Sequence, residues 1–476
     1  MKKTSVEGYM TVYISLSLGI IISLITSMLY FIRIQTIRFE CECVMDMGLD
    51  SIFAEYNREM LEQYDLLFID STYGGSVAST DYILAHLLHY MNLNFHDVGE
   101  GILTKDLTAI NADNGIISEI SFPSDNRGEV LRYQISQLSV KGLLDRKEWK
   151  NDVNIASLLE EYDGRESERE ASCELVESIL DDINSQLEED EEPYSVSNPA
   201  DAVDKGIDSN ILYYSFGEMS NLRLSNINLS DYFSHRSYKN GAGLREYQKA
   251  DSVLDKYALL DYIFNHCGFY GNEKENSELS YEIEYLLAGN GSDIQNIEEI
   301  AKDIFKTRYV INMAHIFSCS SKMAEAEELA ALATSVILLP ELTEAVKLTI
   351  LFAWGYAESA KDMRILFDGH KLSLVKSEAD WNTPLGQLVG FKAYLNDYKV
   401  PSGELDYKKY LMAMISTKDA ELLTMRLMDI MEMDLRRTPG NQFIMVDKLV
   451  YQLTANINVS SGYGYGCNIR RKYSYE

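Results

Sequence analysis

A chain whose residues 9–32 read YMTVYISLSLGIIISLITSMLYFI, with no charge among them, has few folds open to it. At 1.5 Å rise per residue a helix of that length reaches roughly 36 Å, enough to cross a hydrocarbon core of about 30 Å with some tilt. Lys2 and Lys3 ahead of an apolar run also describe a secretory signal. The run is longer than a usual signal core of about 7 to 15 residues, and its far end, MLYFIRIQTIRFE, holds no small-x-small cleavage site. The stretch is therefore expected to persist as a single-pass anchor in the cell membrane. Lys2, Lys3 and the amino terminus narrowly outweigh Arg33 and Arg38, and a long acidic domain translocates largely regardless of its charges. The N-terminus is accordingly expected in the cytoplasm and the bulk outside.

Within the stretch, Thr11, Ser15, Gly19, Ser23 and Ser27 recur at i+4. Small side chains in that repeat let a second membrane helix approach closely, either another copy of the chain or a different protein. Ser and Thr are also tolerated singly in membrane helices, where their hydroxyls bond the preceding turn, so the repeat also has a purely local explanation.

The helical period continues past the lipid. Ile34, Ile37, Cys41, Met45, Gly48, Ile52, Tyr56 and Met60 are spaced by three or four, with Arg38, Glu42, Asp46, Asp50 and Glu59 on other faces. The spacing predicts one helix to about Gln63, amphipathic in its outer half, followed by a strand, YDLLFID, over residues 64–70. An apolar stripe on the outer half must be covered, so the globular part is expected to fold back onto it.

These residues resemble the TadE/TadG-like pseudopilins of tight-adherence (Flp/Tad) pili, in particular a long Clostridial, Gram-positive branch of membrane-anchored proteins. The resemblance rests on GYMTVYISLSL, Arg33 and LDSIFAEYNREMLEQYDLLFID, and returns in YEIEYLLAG (281–289), FAWGYAESAKDMRILFDG (352–369) and Trp381. It implies a pilin-like spine and a structural or assembly role in a pilus or related secretion apparatus. Type IV pilins carry a Glu a few residues after a Gly cleavage point, whereas Glu7 precedes Gly8 here. A permanently anchored accessory protein is therefore expected over a polymerised pilin.

Farther along, residues 80–93 read as a helix capped by Thr80 or Asp81, and LTKDLTAI with NGIISEISF as a strand pair joined near residues 111–115. A helical run over 153–187 leads into a dense acidic patch between Glu160 and Glu192, read as a solvated face and linker, since calcium ligation needs a looped geometry. Helices dominate from 249 to 367, with Gly369 as a C-terminal cap; then come a short hairpin, HKLSLVKS, a helix pair over 407–435, and closing strands in NQFIMVDKLVYQLTANINVS. The tail from Gly462 is expected to fray. The fold class is a helix-rich α+β, organised as a cytoplasmic stretch 1–8, the membrane helix 9–32, the spine and first strand 33–70, an α+β insert 71–192, a mixed linker 193–248, and a helix-rich domain 249–476 with closing strands.

The net charge of −31 excludes nucleic acid as a partner class, because phosphate binding needs clustered Lys and Arg. The 6 cysteines show neither CxxC nor zinc spacing; their even number permits disulfides outside the cell but the spacing specifies none, and isolated or idle thiols are expected over a disulfide framework. His86 and His89 lie at i and i+3 with His96 nearby, the only candidates for metal ligands. The pair lacks the HExxH pattern, so ordinary histidines on a half-buried face are the expectation. Trp354, Glu358 and Asp362 recur at i+4 with Arg364 nearby. Stacked carboxylates repel unless cations hold them, and a polar network with Arg308 or Lys376 as counter-ion is expected over acid–base catalysis. No Gly-rich phosphate loop, GxSxG elbow, kinase set or Cys–His pattern is present. No cofactor and no catalytic residue is expected. The partners are the bilayer and other membrane helices or pilus-assembly proteins. The alternatives of a different class are a membrane-tethered extracytoplasmic hydrolase and a ligand-binding or sensor surface protein.

Overall fold

The computed structural model describes residues 7–96, 109–143, 178, 199–217, 222–244, 253–337 and 342–475. The helical run expected over 153–187 and the acidic segment 160–192, Ser178 apart, lie outside them, as do Asp97, Cys173 and residues 103–108 of LTKDLTAI. In chain order the elements are α1 (Glu7–Phe53), α2 (Arg58–Tyr64), β1 (Ile69–Asp70), α3 (Thr80–His96), β2 (Ile110–Ser121), α4 (Asp125–Leu143), α5 (Pro199–Phe216) and α6 (Val253–His266). There follow α7 (Glu282–Ala288), α8 (Asp293–Ser318), α9 (Ser320–Ile337), α10 (Thr343–Phe367), α11 (Tyr407–Thr417), α12 (Ala420–Arg436), β3 (Leu449–Val450), β4 (Gln452–Ser461) and β5 (Gly466–Ser474). The protein is a helix-rich α+β chain divided into two units. One is drawn from Met1–Gln134, Arg236–Ala250 and Met431–Glu476, the other from Ile135–His235 and Asp251–Ile430.

In the first unit, β2, β4 and β5 form an antiparallel sheet in that order, and β1 pairs with β3. The outer half of α1 lies with α3 on the sheet. Ile37, Cys41, Met45, Leu49 and Ile52 of α1 share one core with Ile83, Leu87 and Met91 of α3 and with Leu453, Ile457 and Ile469 of the strands. Each fully buried aliphatic side chain of this set contributes about 1.5–3 kcal/mol, which is why the amphipathic half of α1 holds its stripe inward. A Cβ on Gly48 would stand 3.0 Å from Leu87 Cδ1 and 3.1 Å from Met91 Cγ, so the missing side chain is what lets α3 cross α1 so closely.

Several expectations are corrected here. The spine does not run unbroken to Gln63: α1 ends at Phe53 and a second short helix starts after Asn57. Asn57 is extended (φ −68, ψ 116), its side chain accepts from Met60 N, and its amide donates to Asn441 Oδ1. An Asn whose side chain caps a new helix and whose backbone leaves the helical region interrupts the old one, despite the continuing periodicity. The strand expected over 64–70 shrinks to Ile69–Asp70, because Asp65 turns left-handed (φ 56) to end α2. Residues 110–121 make one strand rather than a hairpin, with a register shift between Ala112 and Asn114. Asn114 there hydrogen-bonds Asn458, and Asn458 bonds Asn468, a ladder across three strands in place of a turn. The tail does not fray, since Gly466–Ser474 is the edge strand β5, registered from Gly466↔Ser460 to Ser474↔Gln452. HKLSLVKS is no hairpin; Leu372 instead makes an isolated bridge with Leu405, and Lys376 turns into the interior.

The second unit is built of helices joined by loops, with no strand beyond isolated bridges among its described residues. Its centre is α10, buried along almost its whole length from Leu351 to Phe367, with Gly369 left-handed (φ 86) just beyond its end. Rings of Tyr214, Phe305, Tyr356 and Phe391 pack together at its side. A helix enclosed all round is usually apolar, yet α10 takes Glu358, Lys361, Asp362 and Arg364 inside with it. Each must find a partner or impose a desolvation cost of several kcal/mol.

Candidate functional site

The first candidate is α1. From Tyr9 to Ile32 its large apolar side chains are exposed by half or more on every side. Among the described residues it is the one helix long and apolar enough to cross a membrane, with a mean hydropathy of 2.1 in its best window. Hydroxyls along it bond the preceding turn: Ser17 donates to Ile14 O, Thr26 to Ile22 O and, just past the stretch, Thr36 to Ile32 O. That is what a segment without water needs. Ser15, Gly19, Ser23 and Ser27 line a shallow groove with Leu16, Ile20, Leu24 and Met28, and Thr11 continues the same face one turn earlier. No heavy atom lies within 4 Å of where a Gly19 Cβ would sit, so the groove is open. One residue beyond Ile32, the Arg33 guanidinium lies 3.5 Å from the centre of the Tyr463 ring, in the β4–β5 turn. That contact brings the turn back to the foot of the exposed segment.

The second candidate is the charge network on α10. Arg308 of α8 lies 2.9 Å through Nη2 and 3.0 Å through Nε from Asp362 Oδ2. Its Nη1 donates to the carbonyls of Ser373 and Leu374. Lys376 Nζ sits 2.5 Å from Asp362 Oδ1 and also bonds the Glu358 carboxylate, which accepts from Asn382 N as well. Asn312, four residues after Arg308 on the same face of α8, donates to Asp362 Oδ2 at 2.9 Å and to Ser359 Oγ. All four charged groups are essentially out of water. Burial works to raise the Asp362 carboxyl, but Arg308 and Lys376 beside it win and hold it below the ordinary carboxylate range. The two carboxylates and two cations balance, and neither carboxylate opens to solvent.

Trp354 belongs to the wall of this network rather than its interior. Its indole N–H donates 2.7 Å to Thr383 O, as does that of Trp381 at 2.9 Å. Between the two rings lies the Lys322 ammonium, 4.4 Å and 4.1 Å from their centres, where burial pushes its pKa down. Arg364 stands apart. It donates to the carbonyls of Tyr213 and Tyr214 and so caps the C-terminus of α5. Sequence reasoning missed Asn312, Asn382 and Lys322. Only Asn312 had a signal, its i+4 spacing from Arg308.

His86 sits in a third cluster. Its Nδ1 is 3.1 Å from Glu55, whose carboxylate also accepts from the hydroxyls of Tyr73 and Tyr90. Burial works to raise the Glu55 carboxyl, but the hydrogen bonds of Tyr90, Tyr73 and His86 outweigh it and hold it low. His89 turns its ring toward Tyr90, 5.9 Å away, and the side chain of His96 lies outside the described residues. Among the described residues no three His, Cys, Asp or Glu side chains converge as metal ligands do.

No curated protein and no solved structure matches the chain significantly. One protein family does, over residues 189–461, a range that holds the whole α10 network and β4 and leaves out α1. As that range is more than half of the sequence, the chain belongs to the family of unknown function DUF5702.

Proposed function

We propose that the protein is a membrane-anchored, pseudopilin-like accessory component, similar to the TadE/TadG type, that serves the assembly or anchoring of a tight-adherence pilus or related secretion apparatus through protein contacts. Its N-terminus stands in the cytoplasm and its globular units outside. The observation that carries this reading is the division of α1. One half exposes apolar side chains in every direction, and the other buries a single stripe against a three-stranded antiparallel sheet. A lipid-embedded stem continuing into a domain-bearing spine is what a pilin-like subunit requires. The enclosure of Glu358 and Asp362 by Lys376 and Arg308 favours a scaffold over a hydrolase, whose acid and base must reach substrate. Deleting the gene in its host and counting surface pili by electron microscopy tests the role. The expected result is loss of pili, restored by the intact gene but not by one carrying Gly19→Leu and Ser23→Leu. Unchanged piliation in the deletion strain would overturn it.

A further inference from the structure

The described cysteines, Cys41, Cys43, Cys267, Cys319 and Cys467, all carry free thiols, and two of them share one core cluster. Cys41, fully buried on the spine helix, belongs to that cluster, and Cys467, half-buried near the start of the edge strand β5, packs against it. The residues around them hold this register. Arg33 lies on the Tyr463 ring, Arg471 reaches Glu42 at 3.7 Å and Asp46 at 2.9 Å, Tyr473 donates to Asp50, and Tyr475 donates 2.8 Å to Phe53 O. Positions 33, 42, 46, 50 and 53 of α1 thus follow positions 463, 471, 471, 473 and 475 in order, and the thiol pair falls inside that series.

We propose that Cys41 and Cys467 are a disulfide-forming pair that bolts the C-terminal hairpin to the spine helix in an oxidising compartment. The cellular half of this statement rests on the outward orientation proposed above. Burial, then the neighbouring Cys467, push the Cys41 thiol up to about 12, so the more exposed Cys467 reacts first. Its thiolate attacks an external disulfide, such as oxidised glutathione or a thiol oxidase, and expels one thiol. Cys41 then gives up its proton and attacks the Cys467 sulfur, expelling the second. The pair loses two electrons and two protons, and the external disulfide becomes two thiols.

The test uses the detergent-solubilised full chain, incubated with excess oxidised glutathione, alkylated with N-ethylmaleimide and digested without reductant. The expected product is a peptide pair joining Cys41 to Cys467, two hydrogens lighter than its halves, present also in Cys43→Ser and lost in Cys41→Ser. Glutathione left on Cys467 with Cys41 still alkylatable, or a Cys43–Cys467 link, would overturn the pairing. This assay does not depend on topology. A pair that closes in detergent but stays reduced in cells would uphold the pairing and count against the outward orientation.

Discussion

At the scale of single residues, the second unit is governed by how its buried charges are balanced. Asp362 serves both Arg308 and Lys376, so Asp362→Asn takes the carboxylate from the buried Arg308 and leaves Lys376 with Glu358 alone. The expected cost is about 3–5 kcal/mol, read as a lower urea midpoint for the solubilised chain. A midpoint within experimental error of the parent would contradict the network's role. Glu284 behaves in the opposite sense to Asp362. Burial raises its carboxyl to about 7 against the hydrogen bonds of Tyr270 N and the Tyr407 hydroxyl. Because the folded chain holds that proton more tightly than the unfolded one, the contribution is complete below the ordinary carboxylate range and lost as pH rises through 7. The loss amounts to roughly 3 kcal/mol. Unfolding followed at pH 5 and pH 8 should show this decline in the parent and a shallower one in Glu284→Gln. The pairing of Arg308 with Asp362 could be anticipated from charge spacing on two helices. Lys322 between two Trp rings could not, because the turn that presents Trp381 leaves no periodic trace.

At the scale of elements, Gly19 and Gly48 of α1 separate what packs within the unit from what is left open. Gly48→Leu forces a side chain into Leu87 and Met91 and should destabilise the first unit by about 1–3 kcal/mol. Gly19→Leu meets no atom of the chain, so thermal unfolding should be unchanged while helix association in a membrane reporter falls. Equal thermal effects from both would refute this division of α1. The amphipathic period made the spine legible, but the break at Asn57 was not, since it depends on Asn441 and Phe68 far along the chain. The sheet was hidden for the same reason: β2 finds β4 across more than three hundred residues, and short local windows hold no record of that pairing. β5 reads as a Gly- and Tyr-rich tail until Tyr473 and Tyr475 are seen packing on Phe53. Truncation after Ser461 should therefore cost the first unit its folded state, seen as rapid proteolysis, rather than trim a loose end.

At the scale of the molecule, the proposed anchoring gives a charge of −31 a consequence: it would keep the globular units off anionic headgroups and leave α1 as the means of attachment. Carbonate washing should leave the intact chain in the membrane fraction and release a variant lacking residues 9–32. Family membership covers residues 189–461 and leaves out α1, whose partners in the membrane are open to a direct test. That test is photo-crosslinking in host membranes, with a photoreactive residue placed at position 19, on the small-residue face, or at position 21, on the opposite one. The account predicts a discrete protein adduct from position 19, containing a pilus-assembly protein or a second copy of this chain, and lipid adducts alone from position 21. Lipid adducts alone from both positions, or the same protein adducts from both, would contradict it.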